Sequence, residues 1–173
     1  LVGLVNFDSE DADSRPPAMS ADGRFVAFSS FANDLVGNDT NFTEDVFLRD
    51  TCAGAPAGCT PSTTRISLTS DDGESDGDSL FPSISEGGRF VSFQSNALNL
   101  VNGDTNNAMD IFVRDTCWGA SSGCKPTTLR VSVATDGTQG DSHSFDPALC
   151  ADGRIVAFAS TATTLVAGDG NSV

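Results

Sequence analysis

Short apolar runs separated by turn residues, rather than long helical stripes, dominate this chain. Residues 24–30 have the sequence RFVAFSS, residues 45–50 DVFLRD and residues 64–70 TRISLTS. Each run is short, rich in β-branched and aromatic residues, and bounded by residues that favour turns, which is typical of β-strands. No window of similar length carries apolar residues at the helical period of 3.6. The pattern therefore predicts an all-β protein.

The predicted strands recur at a fixed step along the chain. Gly23, Gly88 and Gly153 stand 65 residues apart. The same step relates the segments PPAMS, FPSIS and DPALC, and the runs RFVAFSS, RFVSFQS and RIVAFAS. A strict period without drift is the signature of a repeat architecture.

Each unit contains four predicted strands that differ in their pattern. Asp-Gly or Gly-Gly joins the first two, which favours a two-residue hairpin with positive φ. In the second strand, residues 25–28 are all apolar, so both faces are expected to be buried. In the fourth, Ile66 and Leu68 alternate with Arg65 and Ser67, which indicates an outer strand with one wet face. Four antiparallel strands graded from buried to exposed and then repeated predict β-propeller blades.

The motif S-x-D-G-R-aromatic-V-A-F-x-S, followed by LV, GDTN and DVFLRD, resembles the TolB-like, WD-like β-propeller repeats of bacterial exported proteins. The resemblance covers nearly the whole chain and implies a propeller fold. It is nearly silent on molecular function, because propellers host many functions. A β-helix fits less well since Asp-Gly hairpins require antiparallel pairing, and a sandwich does not explain the period.

The period also predicts the blade boundaries. Residues 16–80 and 81–145 are expected to form two complete blades. Residues 1–15 would supply the last strand and linker of a preceding blade, and residues 146–173 a half-blade, so this chain alone would not close a ring. Three explanations stay open: a longer propeller, a ring completed by other copies, or polymerisation in which the N-terminal strand LVGLVN of one copy completes the half-blade of the next.

The charge of the chain narrows the class of partner. Twenty-four acidic residues stand against 9 basic ones, for a formal net charge of -15. Such a surface repels phosphate backbones and anionic lipid, so we expect no nucleic-acid partner. No apolar stretch reaches the roughly 18 residues of a membrane span. The opening LVGLVNFDSE lacks the features of a signal peptide, so an export signal would lie outside this sequence or have been removed.

Five cysteines point to the compartment. Four of them form two pairs with the same C-x6-C spacing, and zinc binding or free thiols are the alternatives to disulfides. The predicted disulfides are Cys52–Cys59 and Cys117–Cys124. Two disulfides imply an oxidising compartment, so we expect an extracellular, cell-surface or periplasmic protein. Cys150 replaces Ser20 and Ser85 of the other repeats and is predicted to be small, buried and unpaired.

The loop between the second and third strands carries the most suggestive chemistry. It has the sequence NDTNFTED at 38–45 and GDTNNAMD at 103–110, and a third copy begins GDGNSV. Oxygen ligands at short spacing suit a hard cation such as Ca²⁺, although the sequence does not match an EF-hand. Asx turns are the alternative explanation. The predicted calcium ligands are Asp39, Asn41, Asp45, Asp104, Asn106, Asp110, Asp169 and Asn171.

Other residues give weaker signals. Asn38 and Asn41 match the N-glycosylation pattern, which is common by chance. His143 is the only histidine, and we expect an exposed loop residue rather than a member of a catalytic triad. Trp118 is expected to pack against the neighbouring disulfide, or else to contact a sugar or a partner.

These observations lead to a non-enzymatic extracellular β-propeller scaffold or binding module, with other copies of itself or further blades as partners. One alternative is a subunit of an extracellular filament or surface assembly built by strand complementation. The other is the propeller domain of a larger hydrolase. Apart from Ca²⁺, no cofactor is expected.

Overall fold

The computed structural model describes residues 15–169, which form three β-sheets. The first sheet contains β1 Ala18–Met19, β2 Phe25–Ser30, β3 Asp45–Asp50 and β4 Ser62–Arg65. The second contains β5 Ser79–Ile84, β6 Phe90–Ser95, β7 Asp110–Asp115 and β8 Thr127–Arg130. The third contains β9 Ser144–Leu149 and β10 Val156–Ser160. A single 3₁₀ turn, Glu86–Gly88, connects β5 to β6.

The all-β prediction and the blade organisation are confirmed. Each sheet is antiparallel, with its strands in chain order. The second sheet packs on the first and the third on the second, as successive propeller blades do. Between residues 15 and 169 these sheets do not close a ring. The predicted N-terminal strand LVGLVN lies outside the described residues.

The main core lies between the first two sheets, because the central strands are apolar on both faces. Phe28 stacks on its cross-strand partner Phe47 at 5.7 Å between ring centroids, and Phe93 stacks on Phe112 at 5.9 Å. Aromatic cross-strand pairs of this kind stabilise a sheet beyond the area they bury. The buried core residues are Phe25, Ala27, Val46, Leu48, Ile66, Val91, Phe93, Ala97, Leu100 and Phe112.

The fourth strand ends earlier than its sequence predicts. The third strands match residue for residue, but β4 covers residues 62–65 rather than 64–70. After Ile66, the N–H of Leu68 donates to the carbonyl of Ile66 (2.7 Å), so the chain leaves the ladder. The prediction that Arg65 and Ser67 face water is wrong, since the Arg65 side chain is 7% exposed and Ser67 is fully buried.

The turn between the first two strands is longer than two residues. The N–H of Ser20 donates to the carbonyl of Phe25 (2.9 Å), and five residues, 20–24, connect β1 to β2. The hydroxyl of Ser20 accepts the N–H of Phe25 (2.9 Å), and the Cys150 thiol does the same for Ile155 (3.1 Å). Cys150 is unpaired as predicted but half-buried rather than buried. Gly23 supplies the positive φ (72°) that ends the turn.

Loops emerge on two opposite faces. The turns between first and second strands and the cysteine loops between third and fourth strands share one face, since the Thr51 N–H donates to the Arg24 carbonyl (2.8 Å). We call this the disulfide face. The opposite face carries residues 31–44 and 66–78 and their counterparts in the second sheet, and we call it the loop face.

Candidate functional site

The predicted calcium ligands of the first repeat converge on an arginine. The guanidinium of Arg65 lies 3.0 Å from the Asp39 carboxylate, 3.2 Å from Asp45 and 2.7 Å from Glu74. Asn41 donates to the Asp45 carboxylate (2.9 Å) and to the Ser75 carbonyl (3.1 Å). The guanidinium therefore supplies positive charge among these carboxylates.

The arrangement recurs one repeat later. Arg130 lies 2.9 Å from Asp104 and 3.5 Å from Asp110, and Asn106 donates to Asp110 (2.9 Å). In both repeats a buried serine, Ser67 or Ser132, donates to the aspartate that opens the third strand. The Ser67 hydroxyl also accepts the Val46 N–H, and the Ser132 hydroxyl accepts the Ile111 N–H, both at 3.1 Å. The cluster therefore fixes the start of the third strand in each sheet.

Burial makes two of these carboxyls weaker acids. Desolvation raises the pKa of Asp39 and of Asp104, and the nearby arginine opposes it only in part. Burial tends to lower the pKa of Arg65, but its bonds to Glu74 and Asp45 raise the pKa overall. The Thr40 hydroxyl lowers the pKa of Glu74.

The calcium and glycosylation sites stay predictions. Asp169 donates its N–H to the Val166 carbonyl (3.2 Å), and Asn171 lies outside the described residues. Asn38 is exposed, while the Asn41 amide is engaged with Asp45. Sequence reasoning missed Arg65 and Arg130, although both recur at the repeat step.

The cysteines are paired as predicted, and their loops are tied to the turns. The structure contains the disulfides Cys52–Cys59 and Cys117–Cys124. Asp50 accepts a bidentate pair from Arg24 (3.0 and 2.9 Å) and also the Cys52 N–H (2.8 Å). The Arg24 bond lowers the pKa of Asp50. Such bidentate pairs fix orientation as well as adding energy.

Trp118 contacts the preceding sheet. Its ring meets Phe25 edge to face at 5.2 Å, and the Arg24 guanidinium lies over the Trp118 ring at 5.1 Å. The cysteine loop of the second sheet thus reaches across to the turn of the first. Packing of Trp118 against the neighbouring disulfide stays a prediction, since these ring contacts are with Phe25 and Arg24.

His143 is exposed and takes part in the loop scaffold. Its Nδ1 accepts the Met109 N–H (2.9 Å), as Asp78 accepts the Glu44 N–H one repeat earlier (2.9 Å). The ring also stacks on Phe145 at 5.8 Å. These contacts are structural.

An open cleft of about 260 Å³ lies on the loop face where the first two sheets meet. It is lined by Thr43, Asp76, Gly77, Asp78, Asn96 and Leu98. The Thr43 hydroxyl is buried and has no hydrogen-bond partner within the described chain. A Cβ at Gly77 would lie 2.4 Å from the Asn96 side-chain oxygen, so only glycine fits there.

At the corresponding position between the second and third sheets, the polar side chains form hydrogen bonds with one another. Thr163, which replaces Leu98, donates its hydroxyl to Asp141 (2.7 Å). Ser142 and Thr161 share a hydrogen bond of 3.0 Å. Ala108 replaces Thr43. The two junctions thus differ at the positions that line the first cleft.

An exposed aromatic residue precedes the cleft residue Thr43 in the chain. Phe42 is 86% exposed and has a φ of 57°. Its counterpart in the next repeat is Asn107, which has a similar φ of 52°. Asparagine tolerates this region far better than a bulky side chain does. A solvent-facing phenylalanine next to the cleft residue Thr43 is therefore a candidate ligand contact. Sequence reasoning did not single out Phe42, Thr43 or Leu98.

Comparison with known proteins adds little to this site. The chain matches no protein-family model and none of the curated proteins searched. It is similar to the crystal structure of TolB from Acinetobacter baumannii, with a TM-score of 0.42 and 18% identity over 84% of this chain and 26% of that one. The chain spans about a quarter of the length of that structure.

Among residues 15–169, no helix has the length and apolar character that crossing a membrane requires.

Proposed function

We propose that this chain is a non-enzymatic β-propeller scaffold and binding module of an exported protein. The cleft at the first junction supports this proposal, because the repeats diverge there and leave a buried hydroxyl beside two carboxylates, each of which also accepts a backbone N–H. Elsewhere, the repeated polar residues described above are engaged in turns, strand starts and ion pairs. These are architectural uses.

The two disulfides support an oxidising location, extracellular, cell-surface or periplasmic. Asp76 and Asp78 favour a ligand with a positive or hydrogen-bond-donating group, and Leu98 and Phe42 favour an apolar part beside it. An amine carried on an apolar stem combines these features.

The test is amide chemical-shift mapping with a panel of aliphatic amines, amino-acid esters and monosaccharides. We expect shifts at Thr43, Gly77 and Leu98 from the amines. The double variant Thr43→Ala with Leu98→Thr copies the second junction, so it should fold and lose the response. Leu129→Thr, on the exposed side of β8, is the control. An unchanged response in the double variant, no response to any probe, or turnover of ester, peptide or glycoside substrates would refute the proposal.

A second candidate is a subunit of an extracellular assembly in which copies complete one another. The observation that favours it is Ile155, which is 68% exposed although its counterpart Phe25 is 2% exposed. The third sheet has two strands in the described residues, and no described sheet covers its face opposite the second sheet. Size-exclusion chromatography with light scattering tests this candidate: a concentration-independent monomer would refute it.

A further inference from the structure

A tight turn in the loop after each second strand differs in sequence from repeat to repeat. The second residue of each turn has a positive φ, with values of 65°, 79° and 81° in chain order. Glycine and asparagine tolerate this conformation best, so the second position is restricted to them. The first position is free to vary. The three turns are Gly37-Asn38, Asn102-Gly103 and Ala167-Gly168.

Only the second repeat therefore places an asparagine directly before a glycine, and this is the only such pair in the sequence. Asn102 and Gly103 are both exposed. Within residues 15–169, the Asn102 side chain forms no hydrogen bond and the Gly103 N–H donates none. A Cβ at Gly103 would meet no atom within 4 Å. The Gly103 nitrogen is thus unhindered and is not held by another acceptor.

The Asp-Gly pairs of the chain present their side chains differently. In each pair that the structure describes, the carboxylate accepts a hydrogen bond from a serine, an arginine, a thiol or a backbone N–H. These aspartates are Asp22, Asp72, Asp76, Asp136 and Asp152. The side chain that precedes Gly103 is instead a free, uncharged amide, which is a better electrophile than an ionised carboxylate.

We propose that Asn102 is a site of spontaneous deamidation. Asparagine is among the thermolabile residues of proteins. The Gly103 nitrogen attacks Cγ of Asn102 and gives up its proton, and the side-chain amide leaves as ammonia, which closes a cyclic imide. Water then opens the ring at one of its two carbonyls, leaving aspartate or isoaspartate. The net reaction exchanges ammonia for water, and neither an oxidant nor a reductant takes part.

The isoaspartate product lengthens the main chain beside a buried ion pair. It inserts one extra carbon into the backbone just before Gly103. The Asp104 side chain follows, is 1% exposed and lies 2.9 Å from the Arg130 guanidinium. The next N–H, of Thr105, donates to the Gln139 side chain (3.3 Å), so the residues after the turn are anchored. We therefore expect the longer backbone to displace Asp104 and to weaken its ion pair, which lowers the Tm.

Incubation of the full chain in warm, weakly alkaline buffer, followed by tandem mass spectrometry of its tryptic peptides, tests the modification. We expect Asn102 to convert into two products, each heavier by the difference between water and ammonia, while Asn38 and Asn106 keep their amides. Asn102→Ala copies the third repeat and should not convert. The double variant Gly37→Asn with Asn38→Gly copies the second repeat and should acquire a new site at position 37.

Thermal unfolding of fresh and incubated protein tests the link to the ion pair. The incubated chain should have a lower Tm, whereas incubated Asn102→Ala should keep its own. Fresh Asn102→Asp is the matched control, because it carries the added charge without the extra backbone carbon, and it should have the Tm of the unmodified chain.

Three results would overturn the inference. The first is an Asn102 that keeps its amide throughout the incubation. The second is conversion of Asn38 or Asn106 at the same rate as Asn102, which would show that the glycine turn does not direct the reaction. The third is an incubated, converted chain with the Tm of the fresh protein, which would reject the effect on Asp104. All three are independent of the proposed binding function.

Discussion

Two groups of carboxyls in this chain respond to pH in opposite directions. Arg24 and Arg89 lower the pKa of Asp50 and Asp115. Their pairing stabilises the fold fully above the unfolded pKa near 4, and this contribution is lost as the pH falls toward the folded pKa. Burial raises the pKa of Asp39 and Asp104, so their cost to stability is full at neutral pH and is relieved as the pH falls through the folded pKa.

The Arg24→Gln variant isolates the first group. We expect it to lower the Tm at pH 7, because Asp50 loses its bidentate partner, and we expect the difference from the unmodified chain to shrink below about pH 4. Thermal unfolding followed by circular dichroism between pH 2.5 and 7 measures this. Arg154→Gln, the exposed counterpart in the third sheet, is the control, and a Tm difference that stays constant with pH would contradict the prediction.

The Arg130→Met variant tests the buried cluster. Removing one partner of a buried ion pair leaves Asp104 and Asp110 uncompensated, so we expect a loss of about 3 kcal/mol at pH 7 in urea unfolding. The loss should decrease in acid, because protonation discharges Asp104. A loss no larger than that of Arg154→Met would contradict this explanation.

The same variant examines the calcium prediction. If the carboxylates suit a hard cation, Ca²⁺ should raise the Tm of Arg130→Met more than that of the unmodified chain, because the guanidinium no longer lies among them. EDTA should reverse the rise. No shift in either protein would leave Asx-turn and arginine chemistry as the role of these residues.

At the scale of the element, the turn between β5 and β6 requires glycine at position 88. Gly88→Ala combines a positive φ (76°) with a Cβ 2.6 Å from the Phe25 ring, so we expect a loss of about 3 kcal/mol in the free energy of unfolding. Gly87→Ala has a similar φ (79°) and open space around it, and should lose only about 1 kcal/mol. Equal losses in the two variants would show that the contact with Phe25 is unimportant.

The second cysteine loop connects two sheets through Trp118. Replacing Cys117 and Cys124 by serine should cost about 2.5 kcal/mol through loop entropy, as should replacing Cys52 and Cys59. Only the first change should shift the Trp118 fluorescence to longer wavelength, because it frees the ring from Phe25 and Arg24. The second pair is thus the matched control, and identical spectra in both variants would argue against the connection.

Strand number and order follow from the sequence because each strand carries its own local pattern. DVFLRD and DIFVRD match β3 and β7 at both ends. The early end of β4 depends instead on a buried Ser67–Asp45 bond between strands, which no local pattern reveals. The loop sequence predicts that Asp39, Asn41 and Asp45 are oxygen ligands, because these residues are close together in the chain. It does not predict the ion pairs with Arg65, because Arg65 belongs to β4, which is distant in sequence. The cleft arises where two repeats differ, so a search for repeated motifs overlooks it.

At the scale of the whole molecule, burial declines from the first junction to the third sheet. Val91, Phe93 and Phe112 of the second sheet pack in the core between the first two sheets and are fully buried. In β10, no described residue is fully buried, and alternate residues are exposed. Each blade therefore depends on its successor for half of its protection from water.

This gradient predicts unequal local stability. In hydrogen exchange at a concentration where the chain is monomeric, amides of β9 and β10 should exchange at least roughly tenfold faster than those of β6 and β7, because fewer buried contacts oppose their opening. Ile155→Asp should leave both rates nearly unchanged, since its side chain is already in water. Ala27→Asp, which places a charge in the first junction, should instead accelerate exchange in the first two sheets together. Uniform protection across all three sheets would mean that the third is covered after all, and would reject the dependence of each blade on the next.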